Sequence, residues 1–158
     1  MIEGKHLVIS DLDSTLADID HRLPLILEGK PDWAEFFRRC PEDKPIWHNI
    51  ELLRALRYRD PATSGVYHRT RIVIITGRSN EVREETITWL RQHAVPYDDL
   101  LMRPAKSRKA DDKLKKELFK QAGYRPAQVA LVLEDRARVV KMWREMGIPC
   151  LQVADGDF

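Results

Sequence analysis

Short apolar runs rich in Val and Ile alternate along this chain with longer segments of helical period. "HLVIS" (6–10), "RIVIIT" (71–76) and "VALVLE" (129–134) are apolar at successive positions, the pattern of strands buried on both faces. "DLLM" (99–102) and "CLQV" (150–153) are weaker and belong nearer the edges of a sheet. Helical patterns fall at roughly 47–58, 79–93, 111–122 and 137–146, with Gly123 and Gly147 placed as C-terminal stops. Strands alternating with helices predict an α/β fold: a doubly wound, Rossmann-like parallel sheet of five strands with helices on both faces.

Two stretches break the alternation. The segment 18–45 holds a helical candidate, "DWAEFFRR", with Asp32 as N-cap and Trp33, Phe36 and Phe37 on one face. It reads as a small cap inserted after the first strand, within a single domain spanning 1–158. An aromatic helix face suits core packing or, at the mouth of a site, stacking on a base. The second stretch, "YRDPATSGVYHRTR", reads as an exposed basic loop. It leads into the start of the second strand, so it is expected at the N-terminal edge of the sheet, away from a site at the other edge.

Composition narrows the picture less than pattern does. A chain of 158 residues, 43% hydrophobic, has enough apolar content for a proper core, which argues against disorder. Its net charge of +2 neither demands nor rules out a nucleic-acid partner. Cys40 and Cys150 form no metal or redox spacing, which suits free thiols in a reducing cytoplasm. The apolar run in "MIEGKHLVIS" is far too short for a signal peptide, and no segment is long and apolar enough to span a bilayer, so no membrane partner is expected. The five histidines show no metal-ligand spacing. The sequence points to no particular protein partner.

The chemistry sits where strands end. "SDLDSTLADIDHR" puts Asp11 and Asp13 just past the first strand, and Asp18 and Asp20 further out as solvated loop acids. "TGRS" ends the second strand with a hydroxyl, a glycine and an arginine just before a helix N-terminus, a cradle for phosphate. "EDR" ends the fourth with Glu134 and Asp135. In a doubly wound sheet ligands bind beyond these ends. Carboxylates converging beside an anion cradle suit an octahedral Mg²⁺ between protein and phosphate.

"DLDST", "ITGRS", a downstream lysine and "LEDR" together resemble the four motifs of the haloacid dehalogenase (HAD) superfamily of aspartate-nucleophile phosphotransferases. With "RKADDKLKKELF", Arg22 and the ending "VVKMWREMGIPCLQVADGDF", the chain is similar to the 3′-phosphatase domain of the polynucleotide kinase-phosphatases of T-even phages. Three positions depart from that pattern: Ser14 stands for a usual glycine, Glu134 for a usual aspartate, and 60–70 is an insertion. The resemblance implies the HAD-like strand order 3-2-1-4-5. It implies Asp11 as nucleophile and Asp13 as acid and base, with a carboxyl that its acidic neighbours would hold above the usual range. It implies Mg²⁺ on Asp11, Asp135 and the backbone carbonyl of Asp13, phosphoryl contacts from Thr76 and Gly77, charge stabilisation by Arg78 and a lysine, and a substrate-phosphate role for Arg22.

Helix phase selects that lysine. Leu114, Leu118, Phe119 and Ala122 define an apolar stripe that takes in Lys115 and, a turn earlier, Asp111, whereas Lys113, Lys116 and Lys120 face outward. An inward lysine needs an anion, and Asp111 is expected to orient it as an i, i+4 partner. The expected reaction is removal of 3′-phosphates from nucleic-acid ends. Small phosphomonoesters such as nucleoside monophosphates remain an alternative substrate class, and an inactive binding module an alternative of another kind. A shallow basic rim would favour polymer ends, and an enclosing aromatic lid small molecules. No GxxxxGK[ST] stretch is present to cradle ATP, so kinase activity is not expected of these residues.

Overall fold

Four successive buried residues, Leu7–Ser10, form strand β1, and their burial on both faces makes it the centre of the sheet. The computed structural model describes residues 6–59 and 68–156. After β1 the chain runs β2 (Ala17–Asp18), α1 (Pro24–Leu27), α2 (Trp33–Arg38), β3 (Lys44–Pro45), α3 (Trp47–Arg57) and β4 (Tyr58–Arg59). It continues with β5 (His68–Arg69), β6 (Arg71–Ser79), α4 (Arg83–Gln92), β7 (Asp99–Arg103) and α5 (Asp111–Gln121), then β8 (Val129–Arg136), α6 (Ala137–Glu145) and β9 (Cys150–Gly156). The main sheet is parallel, in the order β7-β6-β1-β8-β9. Numbering its five strands along the chain, this is the expected 3-2-1-4-5.

Alternate residues of the central strands feed two cores. Val8, Ile72 and Ile74 pack with Ile50 and Leu53 of α3 and Trp89 and Leu90 of α4. Leu7, Ile9, Val73 and Ile75 pack with Phe119 of α5 and Val139, Val140 and Trp143 of α6. Helices on both faces thus hold the sheet rigid, and no described helix is long and apolar enough to cross a membrane.

Bulges shape the ends of two strands. Between the pairs Thr76↔Met102 and Ser79↔Arg103, β6 carries two extra residues, Gly77 and Arg78. Between Glu134↔Gln152 and Arg136↔Gly156, β9 carries three residues against the single Asp135. Such bulges bend the strand and re-aim its side chains. One expectation is corrected here: β6 runs through the whole of "TGRS". A single turn at Asn80–Val82, started by Ser79 accepting from the Glu81 amide, then separates it from α4. The helix N-terminus directly behind the motif is thus that of a short 3-10 turn, and α4 starts only at Arg83.

The insertion is tied at its base by β2 and β3, which pair antiparallel. Asp32 caps α2 by accepting from the Glu35 amide at 3.0 Å. Its aromatic face is split: Phe36 is buried, Phe37 half-buried, and Trp33 53% exposed. The basic stretch before β6 is also more ordered at its ends than a plain loop, because β4 and β5 pair antiparallel. Arg57 anchors this ribbon on the Thr70 carbonyl and Asp98. Residues 60–67, most of the insertion read from sequence, lie outside the described residues. Cys40 and Cys150 are buried free thiols.

Candidate active site

Asp11 follows β1 directly and stays on the ladder, its amide donating to the Leu133 carbonyl at 2.9 Å. Lys115 of α5, 3% exposed, reaches it from the helical layer. Its ammonium donates to Asp11 Oδ1 at 2.7 Å and to Glu134 Oε2 at 2.8 Å. The outward neighbours Lys113, Lys116 and Lys120 are exposed, as the helix phase requires. Asp135 completes a group of three buried carboxylates, with one oxygen of Asp11, Glu134 and Asp135 each within 4.8 Å of the others.

Three buried acids face one ammonium. Burial pushes the Asp11 carboxyl up to about 7 despite Lys115, with Glu134 adding repulsion. Burial likewise lifts Glu134 to about 7, and burial with the Asp11 charge lifts Asp135 to about 6. Burial opposes the Lys115 charge, but Asp11 and Glu134 outweigh it and hold the ammonium protonated. The cluster therefore lacks positive charge. Lys115 and, at 3.4 Å, the Arg136 amide satisfy Glu134, whereas Asp135 Oδ2 is buried without a hydrogen-bond partner. An all-oxygen donor set with an orphaned carboxylate oxygen fits a hard divalent cation. Gly156 closes in from behind: a Cβ there would lie 2.5 Å from Asp135 Oδ2.

Asp13, two residues on, belongs to a different cluster. Its Oδ1 accepts from Arg22 Nη2 at 2.8 Å and Arg78 Nε at 2.7 Å. Both arginines are fully buried and also clasp buried Asp43, Arg22 through Nε at 2.7 Å and Nη2 at 2.8 Å. Phe36 covers the Arg22 guanidinium, 4.2 Å from its ring centroid. This corrects two expectations. Burial would raise the Asp13 carboxyl, but Arg78 and Arg22 outweigh it and hold it below the usual carboxylate range. Its Oδ1 is engaged by both arginines. Arg22 and Arg78 stand behind Asp13 and do not line the cavity, because Asp43 draws both guanidiniums inward.

Thr76 is also withdrawn, its hydroxyl accepting from the Arg78 amide at 3.2 Å. Gly77 does line the cavity, and a Cβ there would sit 3.0 Å from Asp111 Oδ1. Asp111 is not hydrogen-bonded to Lys115. Arg103 takes one of its oxygens and Arg136 the other. Arg103 further donates to the Gly77 carbonyl at 2.9 Å, joining the end of β6 to that of β7. These groups open into a cavity of about 830 Å³. The insertion supplies an apolar wall of Ile19, Ile26, Phe36 and Phe37, and the segment before α5 supplies Lys106, Arg108 and Lys109.

A profile of the polynucleotide kinase PNKP phosphatase domain matches residues 5–158. The chain belongs to this family. It is 27% identical over 143 residues to a protein of Autographa californica nuclear polyhedrosis virus that carries the provisional name bifunctional polynucleotide kinase/RNA ligase. That match covers 90% of this chain and 18% of the viral one. A chain in the Pnkp1/Rnl/Hen1 RNA repair complex is 30% identical, with a TM-score of 0.74, over 99% of this chain and 45% of that one. The chain thus spans under a fifth of the first relative and just under half of the second. A haloacid dehalogenase-like hydrolase of Streptococcus pneumoniae shares the fold, with a TM-score of 0.61 at 14% identity over 93% of this chain and 83% of that one.

Ser14 has a φ of 60°, in the left-handed region that glycine adopts at no cost, which gives a physical sense to the glycine that the resemblance to the HAD motifs implies there. Sequence reasoning missed three residues of the site, Asp43, Arg103 and Arg136. Asp43 carries no local signal, since its partners are 21 and 35 positions away. Arg103 and Arg136 each sit at a strand end, which was a usable sign. Glu134 was noticed as a departure from the motif, but its bond to Lys115 requires the fold.

Proposed function

We propose that this chain acts as one catalytic domain, with 18–45 as its cap, that removes 3′-phosphates from nucleic-acid ends in the presence of Mg²⁺. The observation that carries this reading is Lys115 bridging Asp11 and Glu134 beside Asp135, at the floor of an open cavity with a cationic flank. Asp11 attacks phosphorus in line and the bond to the 3′-oxygen breaks, leaving an aspartyl-phosphate. Lys115 holds the nucleophile in place and offsets charge on the phosphoryl oxygens. Asp13 gives a proton to the leaving oxygen and recovers one from the water that cleaves the intermediate. Its arginine clamp favours the ionised form, which suits the second role, while the first draws on the protonated fraction. Asp11, Asp135 and the Asp13 carbonyl would hold Mg²⁺, which supplies electrostatic stabilisation of the phosphoryl group when bound. Arg103 and Arg136, aligned by Asp111, present cationic side chains to the same cavity. The two buried thiols support a reducing, cytoplasmic setting.

The aromatic wall favours a second reading, a phosphatase of free nucleotides. Turnover of a 3′-phosphorylated oligonucleotide against nucleoside 3′- and 5′-monophosphates separates the two. We expect the higher kcat/KM on the oligonucleotide; a preference for the monophosphates would overturn the reading.

A further inference from the structure

The cap helix α2 carries an aromatic side chain that packing alone does not explain. Trp33 lines the cavity yet leaves about half of its surface open. It is held firmly all the same. Phe36 meets it edge-on at 5.7 Å, and Phe37 lies beside it at 6.1 Å, tilted by 32°. Phe36 in turn covers Arg22, which is fixed by Asp43 and Asp13. An indole backed in this way costs little entropy to bury further, and it shares its cavity with Asp11.

From other elements the same cavity receives Lys106, Arg108 and Arg138, all exposed and none with an ion-pair partner among the described residues. Aromatic faces beside unpaired cations are what a single strand requires. Bases stack on π-surfaces whatever their identity, and backbone phosphates follow positive charge.

We propose that Trp33, flanked by Phe37, is a stacking platform for the base of the terminal nucleoside, with Lys106, Arg108 and Arg138 binding the phosphates of the preceding nucleotides. This rests on the 3′-end reading above and deepens it: the substrate would be a single-stranded, unpaired end whose last base is turned onto the cap.

The test uses two 3′-phosphorylated oligonucleotides that differ only in whether the terminal sugar carries a base. For the unmodified enzyme we expect kcat/KM to favour the base-bearing end by about tenfold, mostly through KM, the range that base–aromatic stacking supplies. Trp33→Ala should bring the ratio close to one, and Trp33→Phe should retain most of it. Leu27→Ala, at an apolar position of the cap that is 58% exposed and outside the cavity lining, should leave the ratio alone. An enzyme active on oligonucleotide ends but indifferent to the terminal base would overturn the platform alone, as would a Trp33→Ala variant that keeps the preference. An enzyme that does not act on such ends at all would overturn the functional reading and the platform with it.

Discussion

Asp11 and Asp13 leave the same strand end two residues apart, yet they meet opposite electrostatic surroundings. Asp11 looks into the layer of α5 and finds one ammonium shared with two further buried carboxylates. Asp13 looks toward the insertion and finds two guanidiniums shared with only one other carboxylate, Asp43. Burial raises both carboxyls; in the first neighbourhood one ammonium does not offset it and Asp11 stays high, whereas in the second two guanidiniums outweigh it and hold Asp13 down. Proximity in sequence says little about a carboxyl's acidity. The count of opposite charges enclosed with it decides.

The sharpest way to separate the two is to remove each charge. Asp11→Asn deletes the proposed nucleophile, and turnover should fall by at least about 10⁴-fold in a folded protein. Above pH 7 it should cost no stability, because it relieves an excess of negative charge. Asp13→Asn and Asp43→Asn should do the reverse to the fold. Each strips a partner from two fully buried arginines, and urea unfolding should show a loss of about 3 kcal/mol. An Asp43→Asn protein as stable as the parent would mean the clamp is not as described.

Lys115→Ala should also end turnover, and it leaves three carboxylates with no ammonium. The loss of stability, about 3 kcal/mol at pH 8, should shrink toward pH 5 as those groups take up protons. Lys116→Ala, on the exposed face, should change stability by less than about 0.5 kcal/mol.

A smaller effect comes from pH alone. Asp11, Glu134 and Asp135 have ordinary values of 3.8, 4.5 and 3.8, and in the fold they rise to about 7, about 7 and about 6. Between these limits the folded chain binds more protons than the unfolded one. Stability without metal should therefore fall as pH rises from about 4 to 7 and then level off. Asp13, shifted the other way, loses its contribution only as pH falls below its ordinary value of 3.8, outside that window. Because a cation binds the ionised forms, the gain in Tm on adding Mg²⁺ should be larger at pH 8 than at pH 5. A gain independent of pH would argue against Asp11 and Asp135 as the ligands.

The smallest effect is expected far from both clusters. Arg69 pairs with Asp98 beside the start of β6, with its side chain 67% exposed, and Arg71 lies near Asp99. Neutralising both should change kcat/KM on oligonucleotides by less than about twofold. A large rise in KM would show that the substrate path reaches the opposite edge of the sheet.

What could be read in advance follows the range of the forces involved. Strand and helix alternation is local, and so is the phase that turns Lys115 inward, so the sheet, its helices and the lysine were legible in the residues themselves. The direction of the Asp13 shift was not, because Arg22, Arg78 and Asp43 come together only when the insertion folds back. Nor was the loss of Asp111 to Arg103 and Arg136, which depends on strand ends far apart in sequence. The bulge in β6 shows the same limit. "TGRS" names the residues, but the bulge sends Gly77 to the cavity and Arg78 behind Asp13.

The close approach of Gly156 to Asp135 couples the outermost strand of the sheet to its most reactive corner. With only 2.5 Å between a Cβ at that position and Asp135 Oδ2, the seating of β9 and the aim of that carboxylate cannot vary separately. Linkage then works in both directions. A cation that prefers the present aim of Asp135 also tightens β9 against its neighbour, and any loosening of β9 weakens the hold on the cation by the same free energy. Slow hydrogen exchange along β9 would become a gauge of metal occupancy, read from a strand that takes no part in the reaction.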